Sequence, residues 1–314
     1  MAEFNNVNTE AELSQAIIAS RNNGEADSIN ITGDITLTGL LPSISEDVQL
    51  TISGGENTIS GDNQYRLFFV KSGKVNFDHL NFSNGRAQGG DGGGGGAGMG
   101  GALFVYNGTV QVTHSIFENN SAIGGNGAFK SRIKGGNANF VTPIPANNGS
   151  DGSLGGNGSF GGDGGNGSDG GGDGGFGGGG GGGSDGSDGG DGGFGGGGGR
   201  GSDGGDGGFG GGGGYGRDGG GDGGYGGGNG GRDGSGGLSG GGAGMGGAIF
   251  IRSGYLSVSD SSFKSNSARG GTGANNGLGL KGANGLGLGV PFSPCTPSPI
   301  ATGTTRACPT PCRS

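Results

Sequence analysis

The sequence predicts an all-β fold: a parallel β-helix of about five coils, with a short N-terminal capping helix and a long Gly-rich insertion expected to be disordered. Three observations carry that expectation. Short β-branched and aromatic runs alternate with Gly, Asn, Asp and Ser; a 34-residue block recurs with its apolar positions in register; and 59 of the 97 glycines fall between Gly149 and Gly242.

Taken in order, the first element is a helix. Thr9-Glu10-Ala11-Glu12 reads as a capping box, and Leu13, Ala16 and Ile17 follow at helical spacing, so an amphipathic helix is expected from about Glu10 to Ser20. The period then changes to two. SINITGDITLTG, VQLTISGGENTISG and RLFFVKSGKVNFDHLNFSNG read as strands of four to six residues joined by tight turns.

Repeats decide how those strands are arranged. Gly95–Ala128 aligns without a gap on Gly241–Ala274, with 20 of 34 positions identical, and a looser copy precedes the first at an offset of 35. Phe69, Phe104 and Phe250 share a column, as do Val75, Val110 and Leu256, then Phe77, Val112 and Val258, then Phe82, Phe117 and Phe263. A coil of about 20 residues cannot bury such positions alone, so coils must stack with like residue over like. Gly73, Gly108 and Gly254 are expected at a turn with positive φ. Asn120 and Asn266 are expected at another, in the left-handed region, each able to bond to the Asn of the next coil. The helix would cover one open end of the stack.

The offsets locate the glycines. Copies 35 residues apart leave about 15 residues for one corner, and copies 146 apart leave about 126 for the same corner. The expected organisation is therefore a cap and first coils over 1–128, a Gly/Asp-rich low-complexity loop over 129–240, a continuing coil over 241–273, and a low-complexity tail over 274–314 expected to be disordered. Within the loop DGG[FY]GG recurs at Asp173, Asp191, Asp206 and Asp222, and the scarcity of apolar side chains argues against a packed core there.

Composition excludes several classes. Collagen requires a strict Gly-X-Y period with abundant Pro, whereas this chain has 9 Pro and up to seven consecutive Gly. The net charge of -9 resides in the Gly-rich segment, with twelve Asp against three Arg, which disfavours nucleic acid as a partner. No apolar window has the length of a transmembrane helix, and the N-terminus lacks the pattern of a signal peptide. Cys295, Cys308 and Cys312 lack the spacing of zinc or redox sites and read as incidental thiols.

Candidate sites are few. GGxGxD ends at Asp169, Asp185, Asp203 and Asp218, the opening of a calcium-binding nonapeptide, but the aliphatic position that should follow is Gly or Ser. Weak, diffuse cation association is the expectation, with no other cofactor. His79 and His114 align one coil apart with Asp260 in their column; without a carboxylate at hand they read as a surface ladder rather than a metal centre. The acids Asp62, Asp78, Glu118 and Asp260 share no column, so no catalytic residue is expected and the chain reads as a nonenzyme.

GGALFV with FENNSA, and GGAIFI with FKSNSA, resemble the paired GGA[ILV] and FxxN motifs of bacterial polymorphic outer-membrane proteins and autotransporter passengers. The opening VNTEAELSQAI is similar to the start of bacterial pectin-lyase-like domains. The resemblance covers Met1 to about Ala128 and Gly241 to about Gly273. It implies a right-handed parallel β-helix, secreted or displayed on a bacterial surface and used in adhesion, with an unidentified surface ligand or host matrix component as partner. Carried over as structural motif residues are Gly100, Gly101, Ala102, Phe117, Asn120, Gly246, Gly247, Ala248, Phe263 and Asn266. Gly85 stands where the first copy should have Asn, and the C-terminal β-barrel of autotransporters has no counterpart. The alternatives are a polysaccharide-active enzyme of pectate-lyase type and a calcium-binding secreted repeat protein.

Overall fold

The computed structural model describes residues 2–21, 23–46, 48–128, 134–136, 152–154, 163–184, 186–231, 238–275 and 284–288. Among them is one helix, Glu10–Ala19, and it begins where the capping box places it. Glu12 N donates to Thr9 Oγ1 at 3.3 Å, and Thr9 N donates to Glu12 Oε2 at 3.1 Å. Leu13, Ala16 and Ile17 are buried in the same cluster as Ile29, Ile44 and Leu50, so the helix closes one end of that core.

The remaining elements are short strands in parallel sheets. The longest sheet orders Glu3–Val7, Ala26–Ile31, Gln49–Ser53, Lys74–Asp78, Thr109–Thr113 and Tyr255–Ser259. A second runs Ile35–Thr36, Thr58–Ser60, Asn81–Ser83, Ile116–Glu118 and Ser262–Lys264; a third runs Ile44–Ser45, Phe68–Ser72, Leu103–Val105 and Ile249–Ile251. The register is that of the sequence columns: Phe104 pairs with Phe69 on one side and Phe250 on the other, and Val110 with Val75 and Leu256.

Inside, Phe117 stacks on Phe82 at 4.3 Å and 3° and on Phe263 at 4.8 Å and 6°. Vertical register favours such near-parallel stacking, because each ring leaves its strand in the same direction. Asn120 is fully buried, and its Nδ2 donates to Asn266 Oδ1 at 2.9 Å and to the Phe82 carbonyl at 3.0 Å. The Asn-to-Asn bond is as the sequence led us to expect, but the left-handed residue is one position earlier, at Asn84, Asn119 and Ser265 (φ 51°, 56° and 54°). Asn120 and Asn266 face inward instead, where the carboxamide satisfies backbone groups that would otherwise be buried without partners. Gly85 departs from the motif for a steric reason: a Cβ there would lie 2.7 Å from Asn120 Oδ1 and 2.4 Å from the Gly101 carbonyl oxygen.

The strand Leu103–Val105 is buried on both faces. Leu103 and Val105 enter the main core, while Phe104 points the other way into a second cluster with Phe69, Ala97, Met99, Ala243 and Met245. What covers that outer face is the Gly-rich insertion. The expectation of a disordered insertion is therefore corrected for its described residues. Gly174, Gly177, Gly180 and Gly183 donate to the carbonyls of Asp191, Phe194, Gly197 and Arg200, one bond every third residue. Gly189, Gly192, Gly195, Gly198 and Gly201 repeat the pattern onto Asp203, Asp206, Phe209, Gly212 and Tyr215. A three-residue period is that of the polyproline II helix, whose backbone has no internal hydrogen bonds and offers every N–H to its surroundings. Here the surroundings are neighbouring segments of the insertion with the same three-residue period. Close approach requires glycine: a Cβ on Gly193 would lie 1.7 Å from the Gly175 oxygen, and one on Gly135 1.7 Å from that of Gly197. Scarcity of side chains does not preclude packing; it lets backbones meet.

The tail is also corrected in part. Gly287–Leu288 adds a parallel strand beside Gly244–Met245, which itself pairs with Gly98–Met99. The three cysteines lie outside the described residues.

Three substitutions probe the core and the glycine layer. Phe117→Ala should cost about 3–5 kcal/mol, read as a lowered urea midpoint. Gly193→Ala should abolish hydrogen-exchange protection across 163–231 while leaving Leu103–Glu118 protected. Gly219→Ala should be tolerated, because its nearest neighbour would be the movable Asp203 side chain.

Candidate functional site

Two ladders run along the Gly-rich stack. The backbone N–H groups of Asp191, Asp206 and Asp222 donate to Oδ1 of Asp173, Asp191 and Asp206 at 3.0, 2.7 and 2.7 Å. Each Asp thus links its own segment to the next, a use of the carboxylate that needs no cation. Three residues on, the rings of Phe176, Phe194, Phe209 and Tyr225 stack at 5.0, 5.0 and 5.3 Å, within 12° of parallel. Phe176 and Phe194 are half-buried against the second cluster, Phe176 edge-on to Tyr106 at 4.6 Å, and Arg252 lies 4.5–5.6 Å from the ring centroids of Tyr106, Phe176 and Phe194. Exposure rises along the row, to 37% at Phe209 and 68% at Tyr225.

The acidic ladder carries an electrostatic cost. Burial pushes the Asp191 carboxyl up; the N–H of Asp206 partly offsets this, and the carboxylates of Asp206 and Asp173 add to the rise. Burial likewise raises Asp163.

A second arrangement lies on the β stack. His79 and His114, with Asp260 following, sit at φ 49°, 48° and 49° immediately after the paired strands Lys74–Asp78, Thr109–Thr113 and Tyr255–Ser259. Identical backbone geometry stacks the two imidazoles at 4.4 Å and 17°. The surface ladder is present, and a carboxylate is at hand, contrary to expectation: Asp78 Oδ2 is 3.0 Å from His79 Nδ1, and Oδ1 is 3.2 Å from His114 Nδ1. Thr113 Oγ1 donates to Asp78 Oδ1 at 2.6 Å. That hydrogen bond above all, with those of the imidazoles, holds the Asp78 carboxyl down at about 2.

Among the described residues this is the one group of three or more His, Cys, Asp or Glu side chains whose ligand atoms lie within 4.8 Å of one another. The calcium candidates among the described residues lie on the Gly-rich layer. Asp169 and Asp203 are exposed, Asp218 is ion-paired with Arg217 at 2.9 Å, and Asp185 lies outside the described residues.

The GGA motif residues have structural work. Gly100 and Gly246 take φ 63° and 60°, Ala102 and Ala248 are buried, and a Cβ on Gly101 would lie 2.2 Å from the Gly247 oxygen. Sequence reasoning missed Arg66, which is buried and donates from Nε to the Gly100 carbonyl at 3.0 Å and from Nη2 to that of Met99 at 2.9 Å. Burial pushes its guanidinium down. The signal was a lone cation directly ahead of Leu67-Phe68-Phe69-Val70. A groove of about 440 Å³ beside it, lined by Tyr65, Arg86 and Gln88 among others, has Asp91 as its single acid.

No protein-family model, curated protein or solved structure matches this chain. No helix among the described residues is long and apolar enough to cross a membrane.

The two carboxylates should titrate in opposite senses. Asp78, with a lowered folded-state pKa, contributes stability that is complete above the ordinary carboxylate range near 4 and is lost as pH falls toward 2. Asp191, with a raised one, imposes a penalty that is absent below that range and sets in as pH rises above it. Carboxyl-carbon NMR should give midpoints on either side of the ordinary value. Hydrogen exchange in 163–231, corrected for intrinsic rate, should be slower at mildly acidic than at neutral pH.

Proposed function

We propose that this chain is a noncatalytic, surface-exposed or secreted bacterial protein: a right-handed parallel β-helix that presents its Gly-rich face for adhesion. The observation that carries the reading is the pairing of an acidic with an aromatic ladder on a backbone-packed layer fixed to the β stack by Phe104, Met99 and Met245. Docking of that layer through a core lowers the ordering cost of engaging a partner. The emergent rings of Phe209 and Tyr225 supply amphipathic contact area next to hydrogen-bonding carboxylates. The GGA and FxxN motifs support the same reading by resemblance. The partner on this view is a surface ligand or host matrix component that offers periodic hydrogen-bond donors and apolar faces.

Beads carrying the full chain should adhere to surfaces coated with matrix glycoproteins, and Tyr225→Ala should reduce their retention several-fold without changing the fold's circular dichroism. Retention no better than that of uncoated beads would remove the adhesive reading. Release of unsaturated or reducing ends from pectate or alginate, lost in Asp78→Asn, would replace it with the enzymatic one.

A further inference from the structure

The Asp78, His79 and His114 cluster has the composition and spacing of a metal site that neither the fold nor adhesion requires. Two imidazole nitrogens and one carboxylate oxygen are the donor set that first-row divalent transition metals prefer, while calcium and magnesium take oxygen donors. Each Nδ1 already contacts the carboxylate, His79 with Oδ2 at 3.0 Å and His114 with Oδ1 at 3.2 Å, separations of the size found between donors on one ion. Donors bound to one cation at about 2.0–2.1 Å lie roughly 3.0–3.4 Å from each other. The set is built into the backbone. The left-handed turn holds His79 and His114 one above the other, and Thr113 fixes the carboxylate between them. The side chains are 45%, 51% and 38% exposed for His79, His114 and Asp78, so the rings have room to turn their in-plane lone pairs toward a shared ion.

We propose that Asp78, His79 and His114 bind one divalent transition-metal ion of the Zn²⁺ class, with the remaining coordination positions open to water. The ion would replace the protons that now link the imidazoles to the carboxylate. Its effect on the stack would be to clamp two adjacent coils across the turn, tying Asp78 and His79 of one coil to His114 of the next.

The test uses the full chain with its three cysteines alkylated, so that thiols do not compete. Zn²⁺ is titrated and followed by calorimetry and by imidazole ¹H–¹⁵N spectra, which are simple because the chain has two histidines. The expected result is one ion per chain at micromolar affinity, with both imidazoles shifting together. Asp78→Asn and His114→Asn should each weaken binding at least ~10-fold, a loss of the size that follows disruption of a metal's supporting contacts. Asn at position 114 tolerates the left-handed backbone, so that variant keeps the turn. Absence of saturable binding at millimolar Zn²⁺, or binding unchanged in His114→Asn, would overturn the proposal; the latter would assign the ions to the acidic ladder.

Discussion

The constraint on which this molecule rests is a strand that is apolar on both faces. Phe68-Phe69-Val70, Leu103-Phe104-Val105 and Ile249-Phe250-Ile251 stack in register, and their alternating geometry sends two residues of each triplet into the main core and the middle phenylalanine outward. Parallel sheets covered on both sides show such unbroken apolar runs. A row of three phenylalanines left in water would be a large apolar stripe, so the outer face demands a cover. The glycine layer is that cover, and Met99 and Met245 are the contacts through which it seats.

Polyglycine suits that role because of what it lacks. A conventional layer would bring side chains about 10 Å thick between backbones. Here Cβ positions would fall about 2 Å from carbonyl oxygens of neighbouring segments, so within the layer the segments are joined by N–H to carbonyl bonds between backbones. Glycine loses more conformational freedom on ordering than any other residue, and each net hydrogen bond returns only about 1 kcal/mol. The layer is therefore sustained by its apolar anchors, Phe176 and Phe194 packed against the second cluster, as well as by its own bonds.

Much of the β stack was legible in the sequence. The columns set by Phe117 and Val110 gave the register, because vertical stacking makes like sit over like and a one-residue slip would turn every side chain to the wrong face. The turn at Asn120 was displaced by one residue, since Asn is equally suited to a left-handed backbone and to a buried hydrogen-bonding ladder, and only packing distinguishes the two. The Asp78 cluster was hidden for another reason. Asp78 shares a column with Thr113 and not with either histidine, so column reading separates groups that the turn brings together diagonally. The glycine layer was the least legible part, as residues without side chains leave no pattern of burial to read; its trace was the middle phenylalanine of each apolar triplet.

Successive aspartates of the Gly-rich layer lie 18, 15 and 16 residues apart, yet their carboxylates still meet the next N–H. Two of those intervals are whole numbers of three-residue turns. The odd one coincides with the irregular pairing of Gly201–Asp203 with Gly216–Gly219, where the surplus residue is taken up. Rung spacing is thus decoupled from chain length. Duplication or loss of one such unit in the coding sequence would add or remove one rung of the carboxylate ladder together with one rung of the aromatic ladder, so the length of both ladders would change in whole rungs.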